Sequence, residues 1–401
     1  MTIFFSLLLH IYQPPTQLPF VVKQIAEECY RPLIQTLKKF PNAKIVLNCN
    51  AILTEQLYDL ALDDVINGFS ELADRNQLEF TNSAKFHAIL PLIPPIEIKR
   101  QIELNDSTNR HFFGNNYRPE GFFPPEMAVD SIILDPIKET GHNWFIMSGV
   151  GNPNPIFPTT TFFNTKNGLK VVFRDDSISN DISFDRLDAD GLLNRLKYNE
   201  HINRDYYVIL AQDGETYGHH IKHLFNKLLI PILDKLDRRQ DIKIVTISEL
   251  MNKFLSDATI IPKPSSWSTS GEDLKWQNPL TLWYDPDNPI HLLQHNIIMK
   301  VTSLVITAEQ HLNEASDHEK HLWQVARSYL DRGSHSCQQW WASKKPWYSP
   351  DMIIKGLHEL VISAVNAKRS ISEKNIDLRN TFTNALHEIL EIEMNLIEQL
   401  D

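Results

Sequence analysis

Over the first 250 residues, short apolar runs alternate with stretches of helical periodicity. The runs lie at residues 3–9, 44–49, 78–81, 121–123, 143–147, 170–173 and 207–211, with an eighth at 243–246 at a sheet edge or opening the next unit. Between them, residues 32–40, 54–75, 96–113, 131–140 and 219–236 read as helices. The second carries Leu57, Leu60, Ala61, Val65, Phe69 and Leu72 at helical spacing. Strands alternating with helices predict a mainly parallel α/β sheet. Runs that are apolar almost throughout predict strands buried on both faces. Seven such units suit a closed or nearly closed barrel.

The pattern changes after residue 255. Residues 256–289 are rich in Pro, Ser, Trp and Asp and read as a long connecting loop. From 290 to 401 the periodicity is helical, over about 290–316, 318–332, 350–370 and 373–399. It is clearest at Leu386, Ile389, Leu390, Ile392, Leu396 and Ile397. The expected organisation is thus a barrel over 1–255, a loop over 256–289 and a helical domain over 290–401.

Composition narrows the function classes. A net charge of −11 without a Lys/Arg block argues against nucleic acid or an anionic membrane as partner. Three scattered cysteines, Cys29, Cys49 and Cys337, form neither a disulfide framework nor a metal-ligand spacing. They point to a reducing, cytoplasmic location. The apolar run 3–9 is short and has no basic residue before it, so it reads as a strand rather than a signal peptide. No stretch approaches transmembrane length.

Parallel α/β folds bind ligands beyond the C-terminal ends of their strands. The polar residues there are His10, Tyr12 and Gln13 after the first run, and Asn48 and Asn50 after the second. Glu79 sits within the third run, with Asn82 and His87 further on. Glu126 follows the fourth, and Asp213, Glu215, His219 and His220 follow the seventh. Each has a plain structural alternative. His10 can be a hydrogen-bonding core residue, Asn48 and Asn50 turn formers, Asp213-Gly214 a turn pair, and His219 and His220 helix-surface residues. Glu79 is the least ordinary, because a carboxylate inside an apolar run is costly to bury without partners.

The order of these segments resembles glycoside hydrolase family 57, the retaining α-glucan-active enzymes. The family's first motif, of the form HxHQP, is similar to HIYQPP at 10–15. Its second, with a glutamate in a strand, resembles RNQLEFTNSAKFHAILPLIP, which contains Glu79. Its third resembles EGFFPPEMAVD and its fourth AQDGETYGHH. The resemblance implies a distorted seven-stranded (β/α) barrel followed by an α-helical region that completes the cleft; in departure from the larger members, no C-terminal β-rich domain is expected, and no cofactor is expected. It implies Glu126 as nucleophile and Asp213 as general acid/base, with His10 and Glu79 shaping the sugar subsite; Gln13, His87, Glu215 and His219 are further residues expected to bind substrate. Trp267, Trp340 and Trp341 would supply aromatic walls, the last two within SHSCQQWWASKKPWY, the counterpart of the fifth motif. Tyr12 stands where the first motif has its second histidine, and Gln338 near where some members carry an aspartate.

The implied substrate is an α-glucan or maltooligosaccharide. Retention requires two carboxyl groups roughly 5–5.5 Å apart across the anomeric carbon. Glu126 is expected to be ionised, and Asp213 protonated through burial or a neighbouring charge such as Glu215. An acceptor sugar in place of water would make the same site a transferase. Two other readings stand beside this one. A metal-dependent carbohydrate deacetylase would use His10, His87, His219 and His220 around a divalent ion, although their spacing matches no metal motif. A non-catalytic glycan-binding homologue would keep the fold alone. Among the tryptophans, Trp323 lies in a helical pattern and is expected in the core.

Overall fold

The apolar runs become strands, and burial on both faces explains why they do not alternate. The computed structural model describes residues 1–345 and 347–400, with the backbone alone at residue 257. The strands are β1 (Ile3–Ile11), β2 (Ile45–Cys49), β3 (Leu78–Asn82), β4 (Gly121–Phe122), β5 (Trp144–Ser148), β6 (Phe162–Asn164), β7 (Lys170–Arg174), β8 (Tyr206–Asp213), β9 (Ile242–Ile244) and β10 (Ser256–Thr259). They form one sheet in the order β10-β6-β7-β5-β4-β3-β2-β1-β8, with β9 also on β1. Every pairing is parallel except β6 with β7. The fold is therefore α/β with a mostly parallel sheet, and the seven principal runs correspond to β1–β5, β7 and β8.

The period of two sorts each strand between two cores. From β1, Phe4 and Leu8 join Val46, Ile146, Val172, Ile209 and Ala211 on one face. Ile3, Phe5, Leu7, Leu9 and Ile11 join the helix-facing core with Leu33, Leu37, Phe69 and Leu210. His10 and Asp213 share parity with the first set, so the polar ends of β1 and β8 lie on that face.

Two strands escaped the pattern. β6 has only three residues, and β10, SDAT, is mostly polar. β6 and β7 are joined through Asn167-Gly168, with Gly168 at φ +83°. That dipeptide is a recognised hairpin signal. β10 lies in the stretch expected as a loop, which also carries the short helix Gly271–Lys275.

β4 depends on a glycine for a steric reason. A Cβ on Gly121 would lie 2.0 Å from the Trp144 ring of neighbouring β5. The Trp144 ring therefore covers Gly121 one residue before the end of β4.

By its internal contacts the chain divides into two units. One comprises Met1–Gln13, Gln17–Lys85 and Pro94–Trp267; the other comprises Pro14–Thr16, Phe86–Ile93 and residue 268 onward. The second unit is built from helices Pro289–Glu309, Asp317–Gly333, Ser336–Ala342, Pro350–Arg369 and Ile376–Ile397. Ile297, Val301, Leu330, Leu357, Leu360, Ala364, Phe382 and Ile389 fill its core. Trp323 packs against that core and donates its indole N–H to Val305 O at 3.1 Å.

The short helix Ser336–Ala342 is held by side chains rather than by length. Asn288 donates to Ala342 O at 2.9 Å and Gln294 to Gln338 O at 2.9 Å, while His291 Nε2 lies 2.9 Å from Gln339 O. These bonds satisfy carbonyls that a seven-residue helix leaves without intrahelical partners. Among the described residues, no helix is long and apolar enough to cross a membrane.

Candidate active site

The polar residues of the first unit converge at the C-terminal ends of β1, β2, β4, β7 and β8. Parallel register places His10 opposite both Asn48 and Asp213. His10 Nδ1 lies 2.6 Å from Asn48 Oδ1, which fits the ring N–H donating to the amide oxygen. The imidazole stacks on Phe123, with centroids 4.7 Å apart and planes 10° apart. Trp267 meets both rings edge-on, at 5.9 Å from His10 and 5.8 Å from Phe123. Burial pushes the His10 pKa down, opposed by the Asp213 charge and the Asn48 bond. The neutral imidazole is thus favoured.

Glu126 sits on a constrained turn. Pro124 and Pro125 fix the approach, and Met127 N and Ala128 N donate back to their carbonyls at 2.8 and 3.0 Å. Glu126 has φ +58° and ψ +16°, and Met127 φ +49°. Left-handed backbone at a non-glycine residue costs on the order of 1–3 kcal/mol and persists where the surroundings enforce it. Here the enforcement comes from segment 265–267. Val129 and Ser265 exchange backbone bonds, and Trp267 N donates to Glu126 O at 3.1 Å. The Trp267 indole N–H also donates to Glu126 Oε2 at 2.8 Å.

Glu126 and Asp213 both keep some solvent exposure but lie deep among protein atoms. Burial, then the Asp213 charge, pushes Glu126 up to about 8, against the Trp267 hydrogen bond. Burial also pushes Asp213 up, while His10 and Arg174 pull it down. Burial thus pushes both carboxyl groups toward the protonated form.

Glu215 is buried against the first unit's helices. Its Oε1 accepts from Tyr30 O–H at 2.6 Å, Tyr12 N at 3.2 Å and Gln13 Nε2 at 3.4 Å. Burial, then the Asp213 charge, pushes its pKa up to about 8. Gln13, expected to bind sugar, therefore donates to Glu215 and also accepts from Gln17 at 3.0 Å.

The other expected site residues have partners of their own. Glu79 is near the N-terminal start of β3, away from the strand ends that carry His10 and Asp213. It accepts from Ser248 N at 3.1 Å and Ser248 Oγ at 2.8 Å, at the first turn of helix Ile247–Lys253. Partnering explains how a carboxylate survives inside an apolar run. His219 Nδ1 lies 2.6 Å from Glu28 Oε2, in an ion cluster with Lys222. His87 belongs to the second unit, with Nδ1 2.8 Å from Ser336 Oγ. Trp340 and Trp341 are half-buried on helix Ser336–Ala342, and Trp341 packs against the helical core. Among the described residues, no three His, Cys, Asp or Glu side chains converge as a metal-binding set.

Sequence reasoning missed Arg174 and Phe123. Arg174 closes β7 and is buried, with Nε donating to Ala211 O at 2.7 Å. The signal that marked Asp213, a charge directly after an apolar run, applies equally to Arg174.

The site thus pairs two coupled carboxyl groups with an aromatic wall of His10, Phe123 and Trp267. Residues 9–262 match the family model described as glycosyl hydrolase family 57. The chain is 25% identical over 138 residues to an alpha-amylase of Pyrococcus horikoshii, covering 34% of this chain and 21% of the relative. It is 22% identical to a 4-alpha-glucanotransferase of Thermococcus litoralis, covering 61% and 38%. This chain therefore spans about a fifth to two fifths of the length of those relatives. A branching enzyme of the same family from Pyrococcus horikoshii has a similar fold, with TM-score 0.76 at 16% identity over 99% of this chain and 96% of that one.

Proposed function

The chain belongs to glycosyl hydrolase family 57, and on that premise we propose that it is a retaining enzyme acting on α-glucans by double displacement. The observation that carries this reading is the coupled pair Glu126 and Asp213 beyond β4 and β8, beside the aromatic wall. We read the parallel run β1–β5, β7 and β8 as a distorted seven-stranded barrel whose C-terminal rim holds the sugar.

In this mechanism Glu126 attacks the anomeric carbon while Asp213 protonates the departing oxygen. Asp213 then takes a proton from water or an acceptor hydroxyl, which displaces Glu126 from the glycosyl-enzyme. The mechanism requires that the pair hold one proton between them. A bound glucan presents partial positive charge to Glu126 and its bridging oxygen to Asp213. Both contacts favour the proton on Asp213. Water as acceptor gives hydrolysis, and a sugar hydroxyl gives transfer.

The test is turnover and product analysis with maltooligosaccharides. Shorter products alone indicate hydrolysis, longer and shorter ones disproportionation, and new branch points branching. Glu126→Ala is expected to reduce turnover of each to background. Unchanged turnover in that variant removes Glu126 from the mechanism. Asp213→Ala is expected to regain turnover of an activated glycoside on addition of azide, which replaces the second step without needing a base.

A further inference from the structure

Arg174 occupies a position that the two-carboxylate reading does not use. It is 3% exposed at the end of β7. A buried guanidinium is costly unless its donors are met, and here they are. Nε donates to Ala211 O at 2.7 Å, one terminal nitrogen to Asp176 Oδ1 at 2.8 Å and the other to Asn180 Oδ1 at 2.9 Å. Asp176 is anchored in turn, with Oδ2 accepting from Ser148 Oγ at 2.7 Å and Val150 N at 3.0 Å. Gly149 permits that closure, since a Cβ there would lie 2.7 Å from Arg174 O and 3.1 Å from Asp176 Oδ2.

This assembly touches residues next to both carboxyl groups. Ala211 is two residues before Asp213 and on the same face of β8. β7 and β8 meet here through the Arg174 bond and a backbone bond from Asp175 N to Ile209 O at 2.9 Å. On the other side, the Arg174 Cζ lies 5.9 Å from the centroid of Trp267, the residue that holds Glu126.

We propose that Arg174 is a positioning residue of the acid/base step: fixed by Asp176 and Asn180, it locks the end of β8 and holds a permanent positive charge beside Asp213. This rests on the reading of Asp213 as the acid/base. The second half of double displacement needs Asp213 ionised, and a nearby cation favours that state. The groups acting on Asp213 are His10 from β1, Glu126 beyond β4, Arg174 from β7 and Glu215 from its own turn, and Arg174 is itself flanked by Asp175 and Asp176. His10 loses its charge as pH rises, the sooner for being buried, so Arg174 supplies the lasting positive charge. Arginine suits this place because its planar fork meets three acceptors at once, which a lysine ammonium does not do in that geometry.

The experiment follows kcat against pH with a nitrophenyl α-maltooligoside, using a nitrophenol burst to establish that deglycosylation limits turnover. The acid limb then reports ionisation of Asp213. Arg174→Met is expected to move that limb to higher pH by about one unit or more. Asp176→Asn, which keeps the guanidinium and removes its compensating anion, is expected to move the limb the opposite way. Arg174→Lys keeps the charge and is expected to lower kcat with the limb nearly in place. The Asp176→Asn shift decides the matter where Arg174→Met does not fold. A limb that stays fixed in both variants, whatever the fall in kcat, overturns the proposal. If Asp213→Ala shows no azide rescue, the underlying assignment of Asp213 fails instead.

Discussion

The Trp267 indole donates to Glu126 Oε2 at 2.8 Å across 141 residues of chain. The same tryptophan donates its backbone N–H to Glu126 O. One residue from the end of the first unit therefore fixes both the backbone and the carboxylate of the proposed nucleophile.

Removing the indole donor tests this relationship. A hydrogen bond to a charged group contributes about 1.5–3 kcal/mol, equivalent to about 1–2 pKa units. The bond holds the Glu126 pKa down. Trp267→Phe should therefore raise it further and move the acid limb of kcat/KM to higher pH. An unchanged limb would show that the indole acts by packing alone.

Glu79 separates stability from catalysis. Glu79→Ala leaves the part-buried Ser248 N–H and hydroxyl without their carboxylate acceptor, at a cost of about 1 kcal/mol or more. Glu79→Gln offers one acceptor and one donor to the same partners and should cost much less. Denaturant melts are expected to rank the wild type and Gln variant above the Ala variant, with kcat per folded molecule similar in all three. A large loss of kcat in folded Glu79→Gln would return this residue to the site.

Glu215 gives stability a pH dependence of defined sign. Its folded-state pKa is about 8, raised by burial and then by Asp213. The unfolded value is near 4.3. Between those values the folded chain binds more protons than the unfolded chain, so this group makes stability fall as pH rises. Glu215→Gln keeps an acceptor for Tyr30 and removes the titration. Its gain in Tm is therefore expected to be larger at pH 8 than at pH 5. Equal changes at both pH values would contradict the raised pKa.

Gly121 links packing to the site. An alanine methyl 2.0 Å from the Trp144 ring forces β4 away from β5. Overpacking of this kind costs about 1–3 kcal/mol and sometimes more. Because Glu126 follows β4 within four residues, Gly121→Ala should lower Tm and kcat together. A lower Tm with unchanged kcat would show that the Pro124–Pro125 turn positions Glu126 independently of β4.

The sequence by itself determined the strands whose cores lie on both faces, because continuous apolar runs bounded by helical periodicity have few other packings. It also marked Glu126 and Asp213, since a carboxylate directly after a buried strand is placed by the strand's direction. It could not distinguish Glu79 from those two, because its surroundings depend on Ser248, 169 residues away. Nor could it tell that His219 pairs with Glu28, that Gln13 holds Glu215, or that Arg174 reaches across to β8. Those are long-range hydrogen bonds, fixed by register between strands and by which loop folds over which strand end. The charge balance between Glu126 and Asp213 is likewise a tertiary property, set by burial and by His10, Arg174 and Trp267. Local pattern carries information about hydrophobic faces, whereas polar partnering and electrostatics arise only once distant segments meet.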